Sequence, residues 1–160
     1  MTDALGTSLL FDVFALNQAV GRMLADAMAG GPLTPAEYAV SSAVFELEAA
    51  TPTELASRLG MRLTTFMDQL RLMEARGHAR RVPHPRDRRS YRVVLTNAGL
   101  EAHRAANRRF EAAYQAFRSH LPGDEEGTKA ALLAVRRAAD AARAGFLEAV
   151  SPRRLVDRAG

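Results

Sequence analysis

Leu9, Val13, Leu16, Val20, Leu24 and Ala27 recur at three- and four-residue intervals, and Phe14, Met23 and Met28 widen the same apolar stripe. That spacing predicts an amphipathic helix from about Asp3 to Met28, ended by Gly30, Gly31 and Pro32. Thr34 then stands as an N-cap, with Pro35 at the first helical position and Glu37 closing a capping box. The box opens a helix to about Leu47, with Tyr38, Val40, Val44 and Phe45 as its expected buried side. Thr51, Pro52 and Glu54 repeat the device for a short helix to about Leu59, where Leu55 and Leu59 face inward and Gly60 supplies the turn. From Leu63 to about Arg76, Phe66, Leu70 and Met73 form the apolar side of another helix, and Gly77 stops it. Its other face is polar: Arg62, Thr64, Thr65, Asp68 and Gln69.

Two strand-like runs follow, Ala79–Val82 and Tyr91–Leu95. Pro83, His84 and Pro85 are expected to bar a regular ladder at the tip, so that the connection loops. Thr96 caps a further helix carrying Leu100, His103, Phe110, Tyr114 and Phe117 to about Ser119, and Leu121, Pro122 and Gly123 break it. Asp124, Glu125 and Glu126 then occupy the first turn of a last helix, where negative charge complements the macrodipole. Leu132, Val135, Ala139, Ala142, Phe146 and Val150 give that helix an apolar stripe, and the remaining ten residues read as a frayed tail. The terminal helices carry stripes that a small monomer would struggle to cover, which points to a helical dimerisation lobe built from both chain ends. The expected fold is thus mainly α with a small β wing. Residues 1–32 and 119–160 form the dimerisation lobe, and residues 33–118 a winged helix-turn-helix with its connecting helix.

Charge sharpens this picture. The chain of 160 residues has a net charge of only +4, but between Arg76 and Arg92 it places Arg76, Arg80, Arg81, Arg86, Arg88, Arg89 and Arg92 against one acid, Asp87. A hairpin with arginines at its tip suits a phosphate backbone or a narrow groove, so a polyanion is the expected partner. No cysteine is present, which removes disulfides, thiolate metal sites and thiol-based sensing. The N-terminal stretch lacks a basic n-region and is interrupted by Asp12 and Asn17, so neither a signal peptide nor a membrane span is read there, and a cytoplasmic address is expected.

The order TPTELASRLG, then a helix ending in LMEARG, then the hairpin DRRSYRVVLTNAG, preceded by LTPAEYAV, resembles the MarR family of winged-helix transcription regulators. The resemblance covers roughly Leu33 to Gly99. It implies a two-fold homodimer whose recognition helices, ~34 Å apart, bind a pseudo-palindromic operator in double-stranded DNA, more often as a repressor. Arg62, Thr64, Thr65, Asp68 and Gln69 would meet base edges or backbone, and Arg86, Arg88 and Arg89 would meet phosphate and the minor groove. The resemblance gives Arg89 the groove contact and makes Asp87 a brace that orients a neighbouring arginine. Asp68 departs from the basic residue common in relatives: it repels phosphate, yet it can accept from a cytosine amino group. Arg62 replaces the small hydroxyl residue that often caps this helix, so the cap is expected to be weaker. A pocket for a small aromatic ligand is also implied, with Phe14, Tyr38, Phe45, Met67 and His78 as its candidates, although each equally suits plain core.

Catalysis finds no support. His78, His84, His103 and His120 make no metal-spaced pair, no glycine-rich phosphate loop follows a strand, and no cofactor is expected. Each histidine reads as a surface or packing residue, with His84 able to add a weak phosphate contact. The alternative from another class is a winged-helix protein-interaction module without sequence-specific DNA binding, suggested by Asp68 and the weak cap at Arg62.

Overall fold

The computed structural model describes residues 8–149. Within them the elements run α1 (Leu9–Met28), α2 (Pro35–Leu47), α3 (Pro52–Leu59), α4 (Leu63–Ala75), β1 (Ala79–Pro83), β2 (Tyr91–Leu95), α5 (Asn97–His120) and α6 (Glu125–Ala149). The expected helix start at Asp3, Val150 and the C-terminal tail lie outside the described residues. Two compact units divide the chain, one through Gln115 and one from Ala116.

Both expected capping boxes are formed. Thr34 and Thr51 each accept from the backbone N–H three residues on, while Glu37 and Glu54 reach back to the cap N–H at 2.9 and 2.8 Å. These bonds hold the Glu54 carboxyl below its usual range, the Thr51 backbone N–H being the main cause. Gly60 ends α3 in the left-handed conformation, φ 65°, which turns the chain into α4. Thr96 caps α5 by accepting from the Gly99 N–H at 3.0 Å.

Val40, Val44, Leu55, Phe66, Leu70, Met73 and Val93 are the largest apolar members of the core that joins α2, α3, α4 and the hairpin. A second, smaller cluster packs Met28 and Leu33 against Ala102 and Ala106 of α5, with Tyr38 at its edge. Phe45 departs from the sequence expectation. It is 53% exposed, because α2 turns its core side through Val40, Ala43 and Val44 and leaves Phe45 lying against His103.

The hairpin also differs at one point. β1 includes Pro83, which pairs with Tyr91 in the antiparallel register that runs from Ala79↔Leu95. The Val93 N–H points away from β1, to the Ala50 carbonyl at 2.9 Å. Arg81↔Val93, and by alternation Pro83↔Tyr91, are therefore the non-hydrogen-bonded pairs, so the ladder asks for no donor at Pro83. Ala50 in effect extends the wing by one backbone bond. It is delivered there by Glu48 and Ala49, both left-handed at φ 43° and 75° without being glycine.

Candidate nucleic-acid interface

Helices α3 and α4 meet through the Gly60 turn. With Phe66, Leu70 and Met73 fully buried, the opposite side of α4 faces outward. Arg62, Thr64, Thr65, Asp68 and Arg71 are exposed there and Gln69 is half-buried. Arg62 occupies the N-cap with no side-chain cap bond, as its side chain dictates. Asp68 is not a lone charge, since Arg71 Nη1 donates to its Oδ1 at 2.7 Å. A polar face drawn from residues 62–69 omits Arg71, although the i,i+3 acid–base spacing was available as a signal.

The wing tip is an ordered turn. The Arg89 N–H donates to Asp87 Oδ1 at 2.9 Å, the Ser90 N–H to the Asp87 carbonyl at 3.1 Å, and the Arg86 N–H to His84 Nδ1 at 3.3 Å. Asp87 thus braces the loop through a backbone N–H in an Asx turn, and not through a neighbouring guanidinium as the resemblance implied. Arg86, Arg88 and Arg89 are exposed on this turn.

The arginine cluster is not uniform. Glu37 and Glu74 enter it from elsewhere in the chain: Arg76 lies 2.8 Å from Glu37, and Arg81 binds Glu74 through two bonds of 2.8 and 3.0 Å. Arg81 also covers the Tyr91 ring at 4.7 Å, and its bonds to Glu74 raise its pKa further. Among the described residues, the ion pairs of this cluster involve Arg76 and Arg81 alone. Arg80, Arg86, Arg88, Arg89 and Arg92 make no ion pair among the described residues, although the Arg92 charge favours the Glu54 carboxylate.

Comparison with known proteins agrees with this geometry. Residues 32–90, from just before α2 through the wing tip, match the MarR family. The chain is similar to that family over this segment. It is 33% identical over 96 residues to the HTH-type transcriptional regulator TtmR of Methylorubrum extorquens strain PA1, a match spanning 60% of this chain and about half (49%) of that regulator. The PcaV transcriptional regulator from Streptomyces coelicolor, solved with its natural ligand, superposes with a TM-score of 0.73 at 28% identity, over 86% of this chain and 96% of that one. A mutant MarR from E. coli complexed with operator DNA gives 0.70 at 25% identity, over 78% and 90%.

In this chain the five residues expected to share a pocket separate. Tyr38 lines a cavity of about 330 Å³ with Leu24, Met28, Ser42, Leu59 and Phe110. Tyr38 and Phe45 also line a second, of about 400 Å³, with Ser42, His103, Arg104 and Asn107. Phe14 is exposed on α1 and lines neither cavity. Met67 receives the Tyr91 hydroxyl at 3.6 Å within the wing core, and His78 sits at the entry to β1, where its carbonyl accepts from the Thr96 N–H. Spacing alone could not separate them, because the apolar faces of α2 and α4 look alike in sequence.

His103 reads in the sequence only as part of an apolar stripe, yet it is central to the second cavity. Its ring stacks between Tyr38 and Phe45 with centroids 5.5 and 5.0 Å away, and its Nε2 lies 3.2 Å from the Ser42 hydroxyl. Burial, helped by the Arg104 charge, holds its pKa below the ordinary value. The Tyr38 hydroxyl donates to Asn107 at 2.6 Å, and burial raises its pKa. Among the described residues no helix is long and apolar enough to cross a membrane.

Proposed function

We propose that this protein is a homodimeric, cytoplasmic, DNA-binding transcription repressor, not an enzyme, that recognises a pseudo-palindromic operator and is released by a small aromatic ligand. The observation that carries the DNA reading is the joint exposure of the polar side of α4 and a braced arginine turn at the wing tip. The first suits a major groove and the second an adjacent phosphate or minor groove. The similar MarR from E. coli was solved with operator DNA, which supports the assignment. Arg62, Thr64, Thr65, Asp68 and Gln69 are assigned to the groove-facing helix, Arg86 and Arg88 to phosphate, and Arg89 to the minor groove.

Large apolar residues exposed on α1 (Leu9, Leu10, Phe11, Phe14 and Leu16) and on α6 (Leu132, Leu133 and Phe146) support a helical dimerisation lobe drawn from residues 1–32 and 119–160. The cavities around Tyr38 support the ligand, as does PcaV, solved with its natural ligand. Release requires the ligand to favour the dimer geometry that does not fit DNA. The protein-interaction alternative loses part of its motive, because Arg71 neutralises Asp68.

Selection of bound duplexes from a random library, with Arg89→Ala beside the native protein, tests the proposal. An inverted repeat with half-sites about one duplex turn apart, weakened by roughly 1–3 kcal/mol in the variant, is the expected outcome. Sequence-blind binding that moderate salt abolishes and the variant leaves unchanged would overturn it.

A further inference from the structure

We infer that the Asp68–Arg71 pair on α4 is a base-reading unit selecting a guanine next to a cytosine or adenine amino group in each operator half-site; this rests on the DNA-binding reading above. Thr64, Asp68, Arg71 and Ala75 follow one another at four-, three- and four-residue steps along the side of α4 opposite Phe66, Leu70 and Met73, the three buried residues that fix its orientation. Asp68 and Arg71 are the charged members of that stripe, and both are about two-thirds exposed, at 67% and 66%. Of the charges on that stripe, they are the two that a partner of α4 would meet.

The contact between them uses one donor and one acceptor, Arg71 Nη1 and Asp68 Oδ1, 2.7 Å apart. The fork geometry of a guanidinium leaves further N–H groups for an outside acceptor, and the second carboxylate oxygen can take an outside donor. A guanidinium paired in two directions matches guanine O6 and N7, and a carboxylate accepts from an exocyclic amino group such as cytosine N4. Three helical residues advance about 4.5 Å along the axis, close to the roughly 3.4 Å rise between successive bases of a strand. The two side chains therefore suit neighbouring bases.

The acid also selects by exclusion. Placed against guanine or thymine, whose groove edges offer oxygen acceptors, the carboxylate faces like partial charge, and against phosphate it faces a full one. An unpaired Asp68 would lower affinity for all DNA, whereas pairing to Arg71 confines that cost to wrong bases. In this arrangement Asp68 is a positioning residue for Arg71 as well as a reader.

The test is a half-site library assayed with the native protein, Asp68→Asn, Arg71→Ala and Arg71→Lys, with thermal unfolding as the check on folding. The native protein should show a guanine preference of about tenfold or more, within the range set by a good bidentate contact. Arg71→Ala should lose that preference, and Arg71→Lys should recover overall affinity without recovering it. Asp68→Asn should bind random duplexes more tightly while discriminating less, a divergence that a purely structural ion pair would not produce. Variants that scale affinity equally for every sequence, with base preferences unchanged, would overturn the inference and leave the regulator reading standing. Failure of the native protein to select any repeat would overturn both.

Discussion

Glu37 is the most consequential buried charge in the winged-helix unit, and it offers a double-mutant prediction. Its side chain is 1% exposed, and its Oε2 accepts from the Thr34 N–H, the Thr34 hydroxyl and Arg76 Nη1 at 2.9, 3.0 and 2.9 Å. It therefore caps α2 and ties the start of α2 to the end of α4. Arg76→Ala leaves the carboxylate buried with only the Thr34 donors. Removing one member of a buried pair costs about 3–5 kcal/mol, and the half-exposed guanidinium brings the expectation down to about 2–3 kcal/mol. Glu37→Gln keeps an oxygen for the capping box and frees Arg76 into water, so it should cost only about 1 kcal/mol. In the double variant the uncompensated charge is gone. It should be more stable than Arg76→Ala alone, with a coupling of about 1–2 kcal/mol. Urea unfolding followed by circular dichroism, at one fixed protein concentration because the stability of the proposed dimer would depend on it, measures all four corners. Costs that add to within about 0.5 kcal/mol would refute the argument that burial makes Glu37 depend on Arg76.

Gly99→Ala should destabilise by about 3 kcal/mol or more, because a Cβ there would collide with the His78 carbonyl oxygen, a rigid backbone atom; an unchanged unfolding midpoint would contradict this packing. Ala49→Gly should stabilise by about 0.5–1 kcal/mol, since φ 75° suits glycine and strains alanine; a loss of stability would show that the left-handed turn is not strained. For His103, burial keeps the folded-state pKa below the ordinary 6.5, so the unfolded chain takes up the proton first. Its contribution is fully present above about pH 6.5 and is lost as pH falls toward the folded-state value. Native stability should therefore decline more on acidification from neutrality than that of His103→Gln, and parallel pH profiles would count against it.

Local chemistry made most of the fold readable. The boxes at Thr34–Glu37 and Thr51–Glu54 and the stop at Gly77 are decided within one helical turn, so residue type alone places the ends of α2, α3 and α4. The two strands of the wing were legible for the same reason, whereas the bond from the Arg89 backbone N–H to Asp87 Oδ1 was not. What stayed hidden depends on residues far apart in sequence. Arg76 looks like part of a polyanion site until Glu37, 39 residues away, is brought beside it. Pro83 looks like a strand breaker because the side of the ladder it faces is set by the bond from Val93 to Ala50. Phe45 looks like core because helical spacing marks a face without showing how wide the neighbouring elements make it. His103 gives no signal beyond its spacing, since its stacking partners both come from α2.

The ion pairs also change what salt should do to DNA binding. Counting arginines from Arg76 to Arg92 gives seven candidate phosphate ligands, and a slope of log affinity against log salt of up to about −6 for each protomer bound. Arg76 is held by Glu37 and Arg81 by Glu74, each through short bonds that a phosphate would have to displace. Arg80, Arg86, Arg88, Arg89 and Arg92 remain, which lowers the ceiling to about −4.5 for each protomer bound. Substituting alanine for Arg81 should therefore weaken the fold and leave the slope in place. Alanine at Arg86, Arg88 or Arg89 should instead reduce the slope by roughly 0.9 for each phosphate that is no longer neutralised, and leave unfolding almost unchanged. Titrations of one operator duplex across a salt series separate the two groups. A drop of about 0.9 for each protomer bound, roughly two units for a dimer, in Arg81→Ala would mean that Glu74 releases its partner to DNA, and that the internal pairs are reserves of the interface instead of parts of the scaffold.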